Sequence, residues 1–157
     1  MSELRSIHLA IELATRQRDV LAKNHAQAIR NMDFAKSQMG QLQNYALDTD
    51  GRWTGATGTL LSAELIRHHY QFMDRLQQAI GMQEGVMANL SKQLETAHQA
   101  LLQAEFRLAG LNQVLKTRQS AIELTQKRRE QRQTDEFAAQ RHLRARSAQM
   151  RGEHHDY

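Results

Sequence analysis

The chain has 157 residues, no proline, no cysteine and a formal net charge of +4. The absence of cysteine excludes disulfide bonds, a thiolate nucleophile and cysteine-bound zinc. No run of about 18 apolar residues is present, so we expect no direct membrane insertion. Residues 1–5 lack the apolar stretch of a secretion signal, so we expect a cytoplasmic protein.

The composition favours long, uninterrupted helices. An average chain of this length would carry about eight prolines, the residue that interrupts helices most strongly. Aromatic residues make up only 5% of the chain and the mean hydropathy is −0.69, too few bulky apolar groups for a large globular core. We therefore expect helices that bury one narrow apolar seam.

The first predicted helix covers about residues 3–48. Its seam follows the alternating three-four spacing of a coiled coil, and ten of its twelve positions are apolar. The twelve positions are Leu4, Ile7, Ile11, Ala14, Arg18, Leu21, His25, Ala28, Met32, Ala35, Met39 and Leu42.

A loop is predicted over about residues 49–60, where glycine and threonine are concentrated. Thr59 or Ser62 is expected to cap the next helix. Trp53, the only tryptophan, either packs over a helix end or anchors a partner. Further along, Gly81 and Gly85 mark either a flexible or closely approached point or simply exposed positions that tolerate glycine.

The second predicted helix covers about residues 61–150, and its seam is stronger. Every seventh position from 66 is large and apolar for nine positions, which predicts a left-handed supercoil. These positions are Ile66, Met73, Ile80, Met87, Leu94, Leu101, Leu108, Leu115 and Ile122. The intervening seam positions include Leu76, Gln83, Leu90 and Leu111.

Two seams separated by one loop predict an all-α fold of a single domain, residues 1–157. We expect two long helices to form an antiparallel coiled-coil hairpin with a C-terminal helical overhang. Folding about residue 54 would place Leu4 opposite Glu105 and residues near 38 opposite residues near 72. Leu108, Leu111, Leu115 and Ile122 would then lie bare on the overhang, and bare apolar stripes usually mark interfaces.

The charge distribution separates the same two regions. Residues 1–106 hold ten Lys/Arg and eleven Asp/Glu, a net charge of −1, whereas residues 107–157 hold eleven and six, a net charge of +5. The basic excess therefore lies on the predicted overhang.

No site for catalysis or for a cofactor is evident. The histidine pairs His68–His69 and His154–His155 are adjacent, and no two histidines have the i, i+4 spacing that a helical zinc site needs. A two-stranded coiled coil also lacks a concave pocket where acid, base and substrate could meet. We expect neither an enzyme nor a bound metal or cofactor.

Three segments resemble the flagellar export protein FliJ family. Residues 38–45 and 70–80 are similar to family segments before and after the loop. Residues 127–131, followed by Asp135 and Glu136, are similar to the family's basic C-terminal signature. The resemblance covers nearly the whole chain. One departure is Thr49, where family members often carry a tyrosine.

The resemblance implies a stalk or adaptor protein of the flagellar type III export apparatus, peripheral to the inner face of the cell membrane at the flagellar base. Its implied partners are the flagellar export ATPase, the export-gate membrane protein and export chaperones, and its implied role is to bridge ATPase and gate and to assist delivery of chaperone-bound substrates. The family's gate-binding patch corresponds to Gln38, Leu42, Tyr45, Phe72, Leu76 and Ala79.

The ATPase is expected to bind the basic, partly apolar segment of the second helix. The candidate residues are Leu111, Leu115, Lys116, Arg118, Ile122, Lys127, Arg128, Arg129 and Arg132. The alternative function is a coiled-coil protein that binds nucleic acid through this basic helix, because its cations could neutralise phosphates. A third interpretation is a generic coiled-coil homodimer.

Overall fold

The computed structural model of the chain describes residues 2–55 and 62–153, with side chains described at all of these positions except 54 and 55. Within these ranges the chain forms two α-helices and no strand: α1 spans Ser2–Gly55 and α2 spans Ala63–Glu153. The helices pack against each other as an antiparallel hairpin. The predicted all-α hairpin is therefore confirmed.

Helix α1 continues to Gly55, whereas the sequence analysis ended it near residue 48. The seam explains the extension, because its three-four spacing continues beyond Leu42 through Ala46, Thr49 and Trp53, all half-buried. Packing along this last stretch offsets the cost of Gly51, about 1 kcal/mol relative to alanine. The rest of the predicted loop, including Thr59, lies outside the described residues.

Helix α2 begins with a serine cap, as one of the two sequence-based alternatives predicted. The Leu65 backbone N–H donates a hydrogen bond to Ser62 Oγ at 3.2 Å, and the Ile66 N–H donates to the Ser62 carbonyl at 3.2 Å. Glu64 lies in the first turn, where a carboxylate favourably meets the positive end of the helix dipole.

The two seams are the buried part of the hairpin. All twelve predicted positions of α1 are buried or half-buried, and so is every seam position of α2 from Met73 to Leu115. The most buried side chains are Ala14, Ala35, Met39 and Leu76. The three-four spacing therefore identified the packed face of each helix, except at the two ends of the predicted α2 seam, where Ile66 and Ile122 are exposed.

The residues divide into two compact units, one of which comprises residues 12–108. In this unit the Gln83 side chain hydrogen-bonds to the Ala35 carbonyl, and the His25 ring lies against the His98 ring. Halfway between the partners along the sequence lie positions 59 and 61.5, which mark the point about which the chain folds back. The predicted fold about residue 54 is thus wrong by several residues. The extra helical turns before Gly55 shift the pairing toward the C-terminus.

The other unit comprises residues 2–11 and 109–153 among those described. Here an Arg118 guanidinium nitrogen lies 3.2 Å from the Glu3 carboxylate. The start of α1 therefore pairs near residue 118 and not near Glu105. Leu111 and Leu115 are half-buried in this unit, which contradicts the expectation that they lie bare. Leu108, in the first unit, is also half-buried.

The overhang begins later than expected. Every residue from Lys116 to Glu153 is exposed, including Ile122, whose exposed fraction is 40%. This stretch holds ten Lys/Arg and five Asp/Glu, a net charge of +5. The predicted C-terminal helical overhang is therefore present, is basic, and starts beyond the Arg118–Glu3 pair.

Candidate partner-binding surfaces

The six residues of the predicted gate patch lie on both helices of the unit formed by residues 12–108. Tyr45 on α1 meets Phe72 on α2 with ring centroids 5.7 Å apart and an interplanar angle of 73°, an edge-to-face contact. Both rings keep much of their surface exposed, 55% for Tyr45 and 38% for Phe72. The hairpin thus presents a two-ring aromatic cluster to solvent.

Gln38 lies in the same unit but faces a different residue from the one predicted. Gln83 Nε2 donates a hydrogen bond to Gln38 Oε1 at 3.3 Å and another to the Ala35 carbonyl at 3.0 Å. Gln38 is therefore opposite residue 83, not residues near 72. Polar contacts from a seam position of this kind fix the register of a coiled coil.

The other three patch residues are less accessible. Leu76 is only 7% exposed and packs in the seam, while Leu42 and Ala79 are half-buried. These side chains therefore support the surface that Gln38, Tyr45 and Phe72 present. A loss of binding on replacement of Leu76 would include a structural contribution.

Trp53 packs within the hairpin, which favours the structural one of its two interpretations. Its ring stacks on His69 with centroids 4.0 Å apart and an interplanar angle of 3°, and His69 in turn meets Tyr70 at 5.9 Å. The amino-acid sequence alone indicates no particular contact for Trp53. The signal was the seam spacing, since Trp53 continues the α1 series by four residues from Thr49.

The nine residues of the predicted ATPase-binding segment differ in accessibility. Leu111 and Leu115 are half-buried, and Arg118 pairs with Glu3 through side chains that are both more than half exposed. The other exposed members are Lys116, Ile122, Lys127, Arg128, Arg129 and Arg132. Any partner of this segment therefore meets mainly cations with Ile122 among them.

Among the described residues, no three His, Cys, Asp or Glu side chains come close enough to hold a metal ion. The pair His154–His155 lies outside the described residues. Neither α1 nor α2, so far as it is described, contains a segment sufficiently long and apolar to span a bilayer.

Comparison with known proteins gives one match. The family model described as flagellar FliJ protein matches residues 6–147. No curated protein and no solved structure matches the chain. The matched range includes both seams except Leu4, the aromatic cluster and most of the basic overhang, so the chain belongs to the flagellar FliJ protein family and is a flagellar export-related protein.

Proposed function

We propose that this protein is a stalk or adaptor that bridges the flagellar export ATPase and the export gate and assists delivery of chaperone-bound substrates. The proposal assigns one surface to each large partner, and the two surfaces share no residue. It places the protein in the cytoplasm, peripheral to the membrane at the flagellar base, without catalytic activity of its own.

The observation that carries the gate contact is the exposed Tyr45–Phe72 cluster. Aromatic side chains held rigidly at a surface are the usual centres of protein–protein binding energy, because they bury much area and lose little conformational freedom. The two helices contribute one ring each. The gate surface therefore depends on the hairpin being formed.

The ATPase contact is supported by the unbroken exposure and positive charge of residues 116–153. Lys127, Arg128 and Arg129 are consecutive, and consecutive helical residues point about 100° apart. Their charges are therefore spread over about 200° of the helix circumference instead of forming one stripe. This arrangement suits a helix enclosed by its partner on several sides, with steering by complementary charge.

The same cations support the alternative function, binding of nucleic acid. The two proposals are separated by titrating fluorescently labelled protein with the purified export ATPase, the gate protein and duplex DNA at several salt concentrations. The stalk proposal expects saturable binding to both proteins and only weak DNA binding. Strong DNA binding that falls steeply with salt, without binding to either protein, would favour the alternative.

A further inference from the structure

We infer that the groove between α1 and α2 around Leu21 and Ala100 is a docking site for a partner helix with an apolar stripe flanked by carboxylates. The inference goes beyond the proposed function, because no residue of this groove belongs to the aromatic cluster or to the basic overhang. All its residues lie in the unit formed by residues 12–108.

The groove consists of two adjoining hollows that share Leu21 and Ala100. One hollow extends along Gln17, Val20 and Gln103, and the other along Asn24, Gln93 and Thr96. The apolar side chain of Val20 lines the first hollow, and the residue is 58% exposed to solvent. A continuous channel between two helices, with an apolar side chain at its edge, has the shape that a third helix fills.

The charges lining the groove indicate the chemistry of its occupant. Its lining includes two cations, Arg107 in one hollow and Lys92 in the other, and no carboxylate. Neither cation forms an ion pair within the described ranges of the chain. The remaining polar lining groups are the neutral side chains of asparagine, glutamine and threonine. A partner with carboxylates beside an apolar stripe would pair both cations without burying an unpaired charge.

The spacing of the cations sets the length of the partner. Lys92 and Arg107 are fifteen residues apart on α2, so their positions are separated by about 22 Å along the helix axis. An occupant that meets both needs about four helical turns between its carboxylates. Two copies packed groove to groove fit less well, because each groove would bring two further cations and no carboxylate.

The test uses the full-length protein and two labelled 28-residue helical peptides. Both peptides carry leucine and alanine at three-four spacing, with either two glutamates or two lysines fifteen residues apart beside this stripe. Fluorescence anisotropy should give a dissociation constant at least about tenfold lower for the glutamate peptide. Lys92→Glu with Arg107→Glu should reverse this preference. Lys23→Glu with Arg30→Glu, an equal change in net charge outside the groove, should leave it unchanged.

A second pair of variants tests the apolar part. Val20→Glu should weaken binding of the glutamate peptide at least about tenfold, whereas Ile29→Glu, also exposed but outside the groove lining, should change it less than about twofold. Circular dichroism checks that both variants remain helical. Equal binding of the two peptides, or an unaffected Val20→Glu variant, would overturn the inference.

A homodimer would overturn it as well. Because the chain has no cysteine, a Val20→Cys variant carries a single thiol in the groove. Its efficient oxidation to a disulfide-linked dimer at micromolar concentration would identify a second copy as the occupant. Titrations of the Val20→Glu variant with the gate protein and with the ATPase separate a failure of the groove inference from a failure of the proposed function. The variant should bind both of these partners as the wild type does, because Val20 belongs to neither of their proposed surfaces.

Discussion

Tyr45 on α1 and Phe72 on α2 form an edge-to-face contact, with their ring centroids 5.7 Å apart. The contact joins a residue of α1 to a residue of α2 and leaves both rings partly exposed. It therefore has two consequences that can be measured separately, one for the stability of the hairpin and one for binding.

For stability, a double-mutant cycle of Tyr45→Ala and Phe72→Ala should give a coupling energy of about 0.5–1.5 kcal/mol, the usual value for an aromatic pair beyond its buried area. Urea unfolding of the wild type, the two single variants and the double variant measures it. A coupling energy near zero would mean that the rings do not touch in solution.

For binding, Phe72→Ala should weaken the complex with the gate protein at least about tenfold, because a partly exposed ring at the proposed interface is lost. Phe106→Ala is the matched control, since Phe106 is 73% exposed and lies outside the patch. Isothermal titration with the purified gate protein measures both. Equal affinities of the two variants would place the gate contact elsewhere.

Leu76 should behave differently from Phe72. Because it is 7% exposed in the seam, Leu76→Ala should lower the free energy of unfolding by about 2–4 kcal/mol. Leu47→Ala, at a position 71% exposed, should change it by less than about 0.5 kcal/mol. Similar values for the two variants would show that Leu76 is not part of a packed seam.

The spacing of apolar residues predicted most of the fold but not the point about which it closes. The sequence predicts the seam of α1 only as far as Leu42, because the next seam positions, Ala46 and Thr49, carry little apolar signal. The neighbouring residues Asp48, Asp50 and Gly51 are typical of a loop. Packing against α2 outweighed these local preferences, so α1 continues to Gly55. The residues of the two helices therefore pair about a point several residues beyond residue 54.

The candidate surfaces were predictable to different degrees. Family resemblance supplied the gate patch, and the hairpin topology explains why its two segments meet. Sequence spacing indicated which patch members are covered, since Leu42 and Leu76 are seam positions whereas Tyr45 and Phe72 flank the seam. It could not show that Gln83 contacts Gln38, since a glutamine at a seam position has no unique partner until the register is known.

Truncations test the observed register. A chain ending at residue 120 keeps Leu111, Leu115 and the Arg118–Glu3 pair. A chain ending at residue 110 loses all of them. The shorter chain should be less stable by about 1–3 kcal/mol, given the partial burial of two leucines. Equal stability of both chains in urea would contradict the observed register and favour the sequence-predicted one, in which the chain folds about residue 54.

The two glycines of α2 should be replaceable with a gain in stability. Apart from its own helix backbone, an alanine Cβ at Gly81 or Gly85 would meet no atom within 4 Å. Neither glycine is therefore needed to let another helix approach closely. Each change to alanine should raise the free energy of unfolding by about 1 kcal/mol through helix propensity alone. If thermal and urea unfolding show no gain, a flexible point at these glycines would be supported instead.

Whether one molecule holds both large partners is measured most directly by sequential binding. Gate protein is immobilised and saturated with this protein, and purified export ATPase is then added. If one molecule bridges the two partners, we expect a second binding step when the ATPase is added. The triple variant Lys127→Glu, Arg128→Glu, Arg129→Glu should lose this step, whereas the control Arg141→Glu, Arg144→Glu, Arg146→Glu, with the same change in charge, should keep it. Release of this protein from the gate when the ATPase is added, or no second step at all, would contradict the proposed bridge.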